Sequence, residues 1–128
     1  METDLNSKNF EIPFTISENE ICCDQGKLEF SFEDDAAIIN SLSVYSKRNR
    51  IGTKLVGKFE NVAFENELKI IEVPASPTKE AILFWRSLGF KPSIKDDKYW
   101  AKRIIRTDKD DSWDIPQGVV VMKKILKK

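Results

Sequence analysis

Along the first third of the chain apolar residues alternate with polar ones at a period of two, which marks strands with one buried face. Phe10, Ile12 and Phe14 form the first such run, after a polar, flexible arm over residues 1–8, and Leu28, Phe30 and Phe32 form a second beyond Gly26. Asp34 and Asp35 interrupt the pattern as a turn would, and an apolar, β-prone run resumes over residues 36–44. Consecutive antiparallel strands are expected, with no helix over residues 10–45.

At Ile51 the period changes. Ile51, Leu55, Phe59, Val62 and Ala63 share one side of a helix and Lys54, Lys58, Asn61 and Glu65 the other, which predicts an amphipathic helix over residues 50–65 with Asn66 as a left-handed stop. An apolar strand over 68–73 follows, so residues 36–73 read as a βαβ unit. Ser76 as cap, Pro77 at the first position, Ala81, Trp85 and Leu88 as inner face and Gly89 as terminator predict a second helix over 77–88. Two further strands are expected around residues 99–105 and 118–125, separated by an acidic stretch over 107–117. The sum is one α/β (α+β) domain over residues 9–128: a single-layer, mixed, mostly antiparallel sheet with a central βαβ unit and two main helices.

Composition narrows the chemistry. With 128 residues, 41% of them hydrophobic, the chain has enough apolar material for one core. Lys plus Arg and Asp plus Glu both total 21, so no net field draws the molecule toward nucleic acid or a membrane surface. Cys22 and Cys23 are adjacent, poor geometry for a disulfide, and read as free thiols of a reducing compartment. With neither a signal-peptide pattern nor a long apolar run, a cytoplasmic location is expected. Histidine is absent, which removes the commonest general base and metal ligand, so no metal is expected. Asp108, Asp110 and Ser112 have the spacing of calcium-loop ligands, but Trp113 and Val119 stand where that loop needs glycine and glutamate, leaving a solvated acidic loop. Residues 52–58 open like a phosphate-binding P-loop, but Phe59 replaces the hydroxyl residue that would hold magnesium.

Two segments carry a family likeness. Lys47-Arg48-Asn49-Arg50-Ile51-Gly52-Thr53, between a strand and a helix, resembles the pyrophosphate loop of the GNAT acyltransferases, which runs Arg or Gln, two residues, Gly, one residue, then Gly or Ala. Gly52 fits the last position, Lys47 replaces the usual Arg or Gln, and Arg50 replaces the first glycine. The unpaired N–H groups and positive dipole end of a helix favour phosphate at such a place independently of any family. Thr78, Ala81, Phe84, Trp85, Leu88, Gly89 and Phe90 are similar to a later GNAT helix, with Thr78 for its usual asparagine and Trp85 for the tyrosine that often protonates the departing thiolate.

What the resemblance implies is a GNAT-like fold without the usual N-terminal helices and transfer of an acetyl group from acetyl-CoA to a primary amine by direct attack. The implied cofactor-binding residues are Leu42, Ser43, Val44, Lys47, Arg48, Asn49, Arg50, Ile51, Gly52, Thr53, Thr78 and Trp85, and Glu33, Asp34 and Glu72 are the carboxylates available as catalytic base. Lacking the N-terminal helices, the acceptor pocket would be open or completed by a second subunit, a homodimer. A non-catalytic module that senses acyl-CoA or binds a protein is the alternative.

Overall fold

In a computed structural model, residues 13–45, 50–107 and 118–126 are described. The expected arm, the first residues of the expected opening strand, Lys47, Arg48 and Asn49, and residues 108–117 of the expected acidic stretch lie outside them. The elements run β1 (Thr15–Ile16), β2 (Glu20–Cys23), β3 (Gly26–Glu33), β4 (Ala36–Val44), α1 (Ile51–Glu65), β5 (Ile70–Ala75), α2 (Lys79–Ser87), β6 (Lys91–Pro92), α3 (Lys95–Thr107) and β7 (Val120–Ile125).

The seven strands form one sheet in the order β1-β2-β3-β4-β5-β7-β6, antiparallel everywhere except between β4 and β5. That parallel pair is the βαβ unit, with α1 as its crossover. Leu28, Phe30, Ala37, Ile39, Ile71, Val73, Val120 and Met122 are buried, while their strand neighbours Glu29, Ser31, Ile38, Glu72, Val121 and Lys123 are not. Alternation thus gives the sheet one covered face, and Ile51, Leu55, Phe59, Ile82, Trp85, Ala101 and Ile104 bring all three helices to it in a single core. Phe59 is fully buried, with its ring 4.8 Å from that of Phe30.

Helices α1 and α2 end in the same way. Leu68 N–H donates to Ala63 and Glu67 N–H to Phe64, and likewise Phe90 N–H to Trp85 and Gly89 N–H to Arg86, a Schellman pair at each end. The left-handed residue is Gly89 after α2 (φ 97°) but Glu67 after α1 (φ 62°). Asn66, expected as the left-handed stop, has φ −93° and instead donates its side-chain amide to the Val62 carbonyl at 2.7 Å.

Two further expectations are corrected. Residues 99–105 lie in a helix rather than a strand, so there are three main helices, not two. Helix α2 starts at Lys79, with Thr78 rather than Ser76 as its cap: the Thr78 hydroxyl accepts from Ala81 N–H at 3.2 Å.

Candidate acyl-donor cleft

The site originates in one extra residue. Glu29 pairs with Ser41 and Phe30 with Ile39, so Asn40 is left over as a bulge in β4. A bulge bends its strand and adds twist. The ladder to β5 ends just before it, at Ile38 opposite Glu72, and beyond that point β4 and β5 diverge. Pro74 on β5 has no N–H, and proline is tolerated in a strand where one flank lacks a partner.

Between the diverging strands lies a cleft of about 760 Å³. One wall is β4 from Ile39 to Leu42 together with Val44, the other is Val73, Pro74 and Ala75 of β5. Arg50, Ile51, Gly52 and Thr53 at the start of α1, and Ser76, Thr78, Glu80, Ala81, Phe84 and Trp85 in and before α2, complete it.

Two helix N-termini therefore meet at one opening. Arg50 caps α1 with backbone alone, in the left-handed conformation (φ 54°, ψ 45°), and α1 has no acidic residue in its first turn. Its N–H groups and dipole are left to attract an anion. At α2 the Thr78 hydroxyl and Glu80 already answer the helix end. Gly52 is buried, and a β-carbon there would lie 3.3 Å from the Phe84 ring and 3.5 Å from Val44, so glycine lets the first turn of α1 close onto β4 and α2. Trp85 is 5% exposed, set edge-on to Phe84 at 4.9 Å and to Phe90 at 5.2 Å.

The bulge also decides which side chains face out. Asn40 and Ser41 are consecutive, yet both reach back to β3 on the helix-free face: Asn40 Nδ2 donates to Ser31 Oγ at 3.2 Å and Ser41 Oγ to Glu29 Oε1 at 2.9 Å. Lys27 Nζ lies 3.5 Å from the other oxygen of Glu29. The Ser41 hydroxyl first, then Lys27, holds the Glu29 carboxyl below the usual glutamate range, and Glu29 in turn raises Lys27. On the same face its own surroundings, then Glu20, push the Cys22 thiol up, which disfavours the reactive thiolate.

No protein-family model and no curated protein matches the sequence. Solved structures do match. The chain is similar to PaiA N-acetyltransferase from Thermoplasma acidophilum, solved with coenzyme A, at TM-score 0.61 and 14% identity over 84% of this chain and 62% of that one. It is similar to a GNAT-family acetyltransferase from Staphylococcus aureus Mu50 at 0.57 and 19%, over 80% and 60%, and to the anti-CRISPR protein AcrVA5 at 0.58 and 24%, over 81% and 94%. The chain has the GNAT fold. It spans less than two thirds of the first of these acetyltransferases but nearly the whole of AcrVA5, so a short chain suffices for this architecture.

Within the GNAT fold, Leu42, Val44, Arg50, Ile51, Gly52, Thr53, Thr78 and Trp85 come together around the cleft. Ser43, between Leu42 and Val44, is exposed and outside the lining. The three carboxylates proposed from sequence are not in the lining either. Glu33 and Asp34 sit at the β3–β4 turn, beside Ala36 and away from the diverging end, and Glu72 lies on β5 between Ile38 and Lys123. Asn40 and Ser41 were not singled out from sequence; two polar residues in succession within an apolar strand were their only signal. No helix among the described residues is long and apolar enough to cross a membrane.

Proposed function

We propose that the chain is an N-acetyltransferase that moves an acetyl group from acetyl-CoA to a primary amine by direct attack. The observation that carries this reading is the opening of β4 from β5 at a bulge, with the uncompensated N-terminus of α1 at its mouth. The pyrophosphate would lie against the first N–H groups of α1, with Lys47, Arg48 and Arg50 supplying charge and Gly52 permitting close approach. The acyl arm would extend between Leu42–Val44 and β5, where backbone N–H groups of β4 freed from the ladder steady the oxyanion. The amine nitrogen attacks the thioester carbonyl, the tetrahedral adduct collapses and the thiolate leaves. An indole is not an acid, so Trp85 cannot protonate that thiolate, and orientation carries much of the rate. No metal takes part in this scheme. Two free thiols fit a cytoplasmic setting.

The test is thermal unfolding with and without acetyl-CoA. Ligand at about 100 times its dissociation constant adds ~2.7 kcal/mol, a rise of several degrees for a domain this size. The rise should disappear in Gly52→Asp, whose side chain would meet Phe84. No rise at millimolar acetyl-CoA overturns the reading.

Trp85 in the acid's place favours one alternative, a module that binds acyl-CoA without turnover. Thiol release on adding amines separates the two: an enzyme releases thiol, a sensor shows the thermal rise alone. Sedimentation would settle whether a second copy completes the acceptor side as a homodimer.

A further inference from the structure

Three elements run into the cleft from its mouth, and burial grows along each of them. β4 and β5 are parallel, so the cleft opens where both strands finish and closes where their ladder stops, at Ile38 opposite Glu72. Along β4 the lining passes from half-buried Val44 and Leu42 to Ile39 at 1% exposure. Along β5 it passes from exposed Ser76, just past the strand, to Ala75 and Val73, both buried. Helix α2 lines the same space with Thr78, its cap, then Ala81 and Trp85, spaced three and four apart as one face of a helix requires. Thr78 and Ala81 are half-buried, and Trp85, about 10 Å along the axis from the cap, is buried. Ile39 and Val73 from the strands and Trp85 from the helix, all apolar, therefore make the inner end. The charged residues of the lining among those described, Arg50 and Glu80, are both exposed. Trp85 is the largest of the three inner side chains, and it has no room to draw back: Phe90, fully buried, packs edge-on against it at 5.2 Å and Phe84 at 4.9 Å.

We propose that Trp85 is the end wall of the acyl site and limits the transferred group to a short chain such as acetyl. The inference rests on the acetyltransferase reading above, in which the pyrophosphate lies at the mouth beside α1 and the thioester therefore reaches the inner end. There an apolar floor favours a methyl group over water. A longer chain has to displace an indole packed among buried aromatic rings, and a close-packed interior yields little space for added methylenes. Trp85 is thus a specificity-determining residue that acts by size alone.

Titration calorimetry with CoA, acetyl-CoA and butyryl-CoA provides the test, and it needs no acceptor amine. The parent should bind acetyl-CoA about tenfold more tightly than butyryl-CoA, the scale on which overpacking a filled site is felt. Trp85→Leu keeps the position apolar and frees the space of a ring. Each buried methylene then adds about fourfold in affinity, so the two that butyryl brings should make this variant prefer butyryl-CoA by about tenfold. Its affinity for CoA itself, which carries no acyl group, should stay within about threefold of the parent's. Trp85→Phe keeps a ring against Phe84 and Phe90, is the milder change to the core, and should weaken the parent's discrimination severalfold. Equal affinity of the parent for acetyl-CoA and butyryl-CoA overturns the proposal without any variant. So does a Trp85→Leu or Trp85→Phe protein that binds CoA and keeps the parent's preference. A parent that binds none of the three ligands brings down the acetyltransferase reading and this inference with it, whereas one that binds CoA but ignores chain length brings down the inference alone.

Discussion

Two residues outside glycine adopt the left-handed conformation at the ends of α1: Arg50 before it and Glu67 after it, with φ of 54° and 62°. An L-residue there costs roughly 1–2 kcal/mol, and glycine avoids this at an entropic cost of ~0.5–1 kcal/mol. Glu67→Gly is therefore expected to raise the melting temperature by a few degrees, as Gly89 already serves the matching position after α2, and to leave acetyl-CoA binding unchanged. Arg50→Gly should bring a similar gain without ligand. If the guanidinium helps hold pyrophosphate, that variant alone will also weaken the acetyl-CoA-induced rise, so comparing the two separates strain from function. Glu29 gives a prediction in pH. Its carboxyl is lowered in the folded state, so its interaction with Ser41 and Lys27 contributes stability above the usual glutamate range and loses it as pH falls through the lowered value. Urea midpoints should favour the parent over Glu29→Gln at neutral pH, with the two converging on acidification.

At the scale of elements, the Thr78 cap carries the next prediction. Thr78→Ala leaves the Ala81 N–H without its acceptor and should cost about 1 kcal/mol, read as a lower urea midpoint at unchanged slope. Thr78→Ser should restore most of it. That cap also shows where sequence was legible and where it was not. The two-residue period of β3 and the helical period of α1 were both readable, because each buries a single stripe against the core. Residues 99–105 were misread since Tyr99, Trp100, Ile104 and Ile105 are all strand-prone types. What decides the matter is spacing: Asp97, Ala101 and Ile104 are buried positions of α3, four and three apart, as on one side of a helix. Asp96 and Asp97 in its first turn and Arg106 in its last also agree with the helix dipole. Sequence placed eight of its candidate donor residues around the cleft because motif and strand-to-helix junction coincide there. It missed Ser41, whose hydrogen bond to Glu29 depends on strand register, and register is invisible until the bulge is located.

For the whole molecule, the cleft depends on that bulge, and the bulge can be removed without upsetting the alternation. Deleting Asn40 leaves Ile39, Ser41, Leu42, Ser43 and Val44 in strict in–out order. Ile39 could stay opposite Phe30, Ser41 opposite Glu29 and Leu42 opposite Leu28, now without a leftover residue. No buried side chain changes face, and among the described residues the side-chain bond lost is that from Asn40 to Ser31, which is exposed. The deletion should fold, with a urea midpoint at or above the parent's. What it should lose is the divergence: a regular β4 would continue beside β5 past Ile38 and narrow the space that opens there. Acetyl-CoA should then fail to raise its melting temperature, although α1, Arg50 and Gly52 are untouched. A deletion variant that is stable and still stabilised by acetyl-CoA would mean that the strands part for another reason, such as Pro74. One that is stable and no longer responds would tie donor binding to a single inserted residue in one strand.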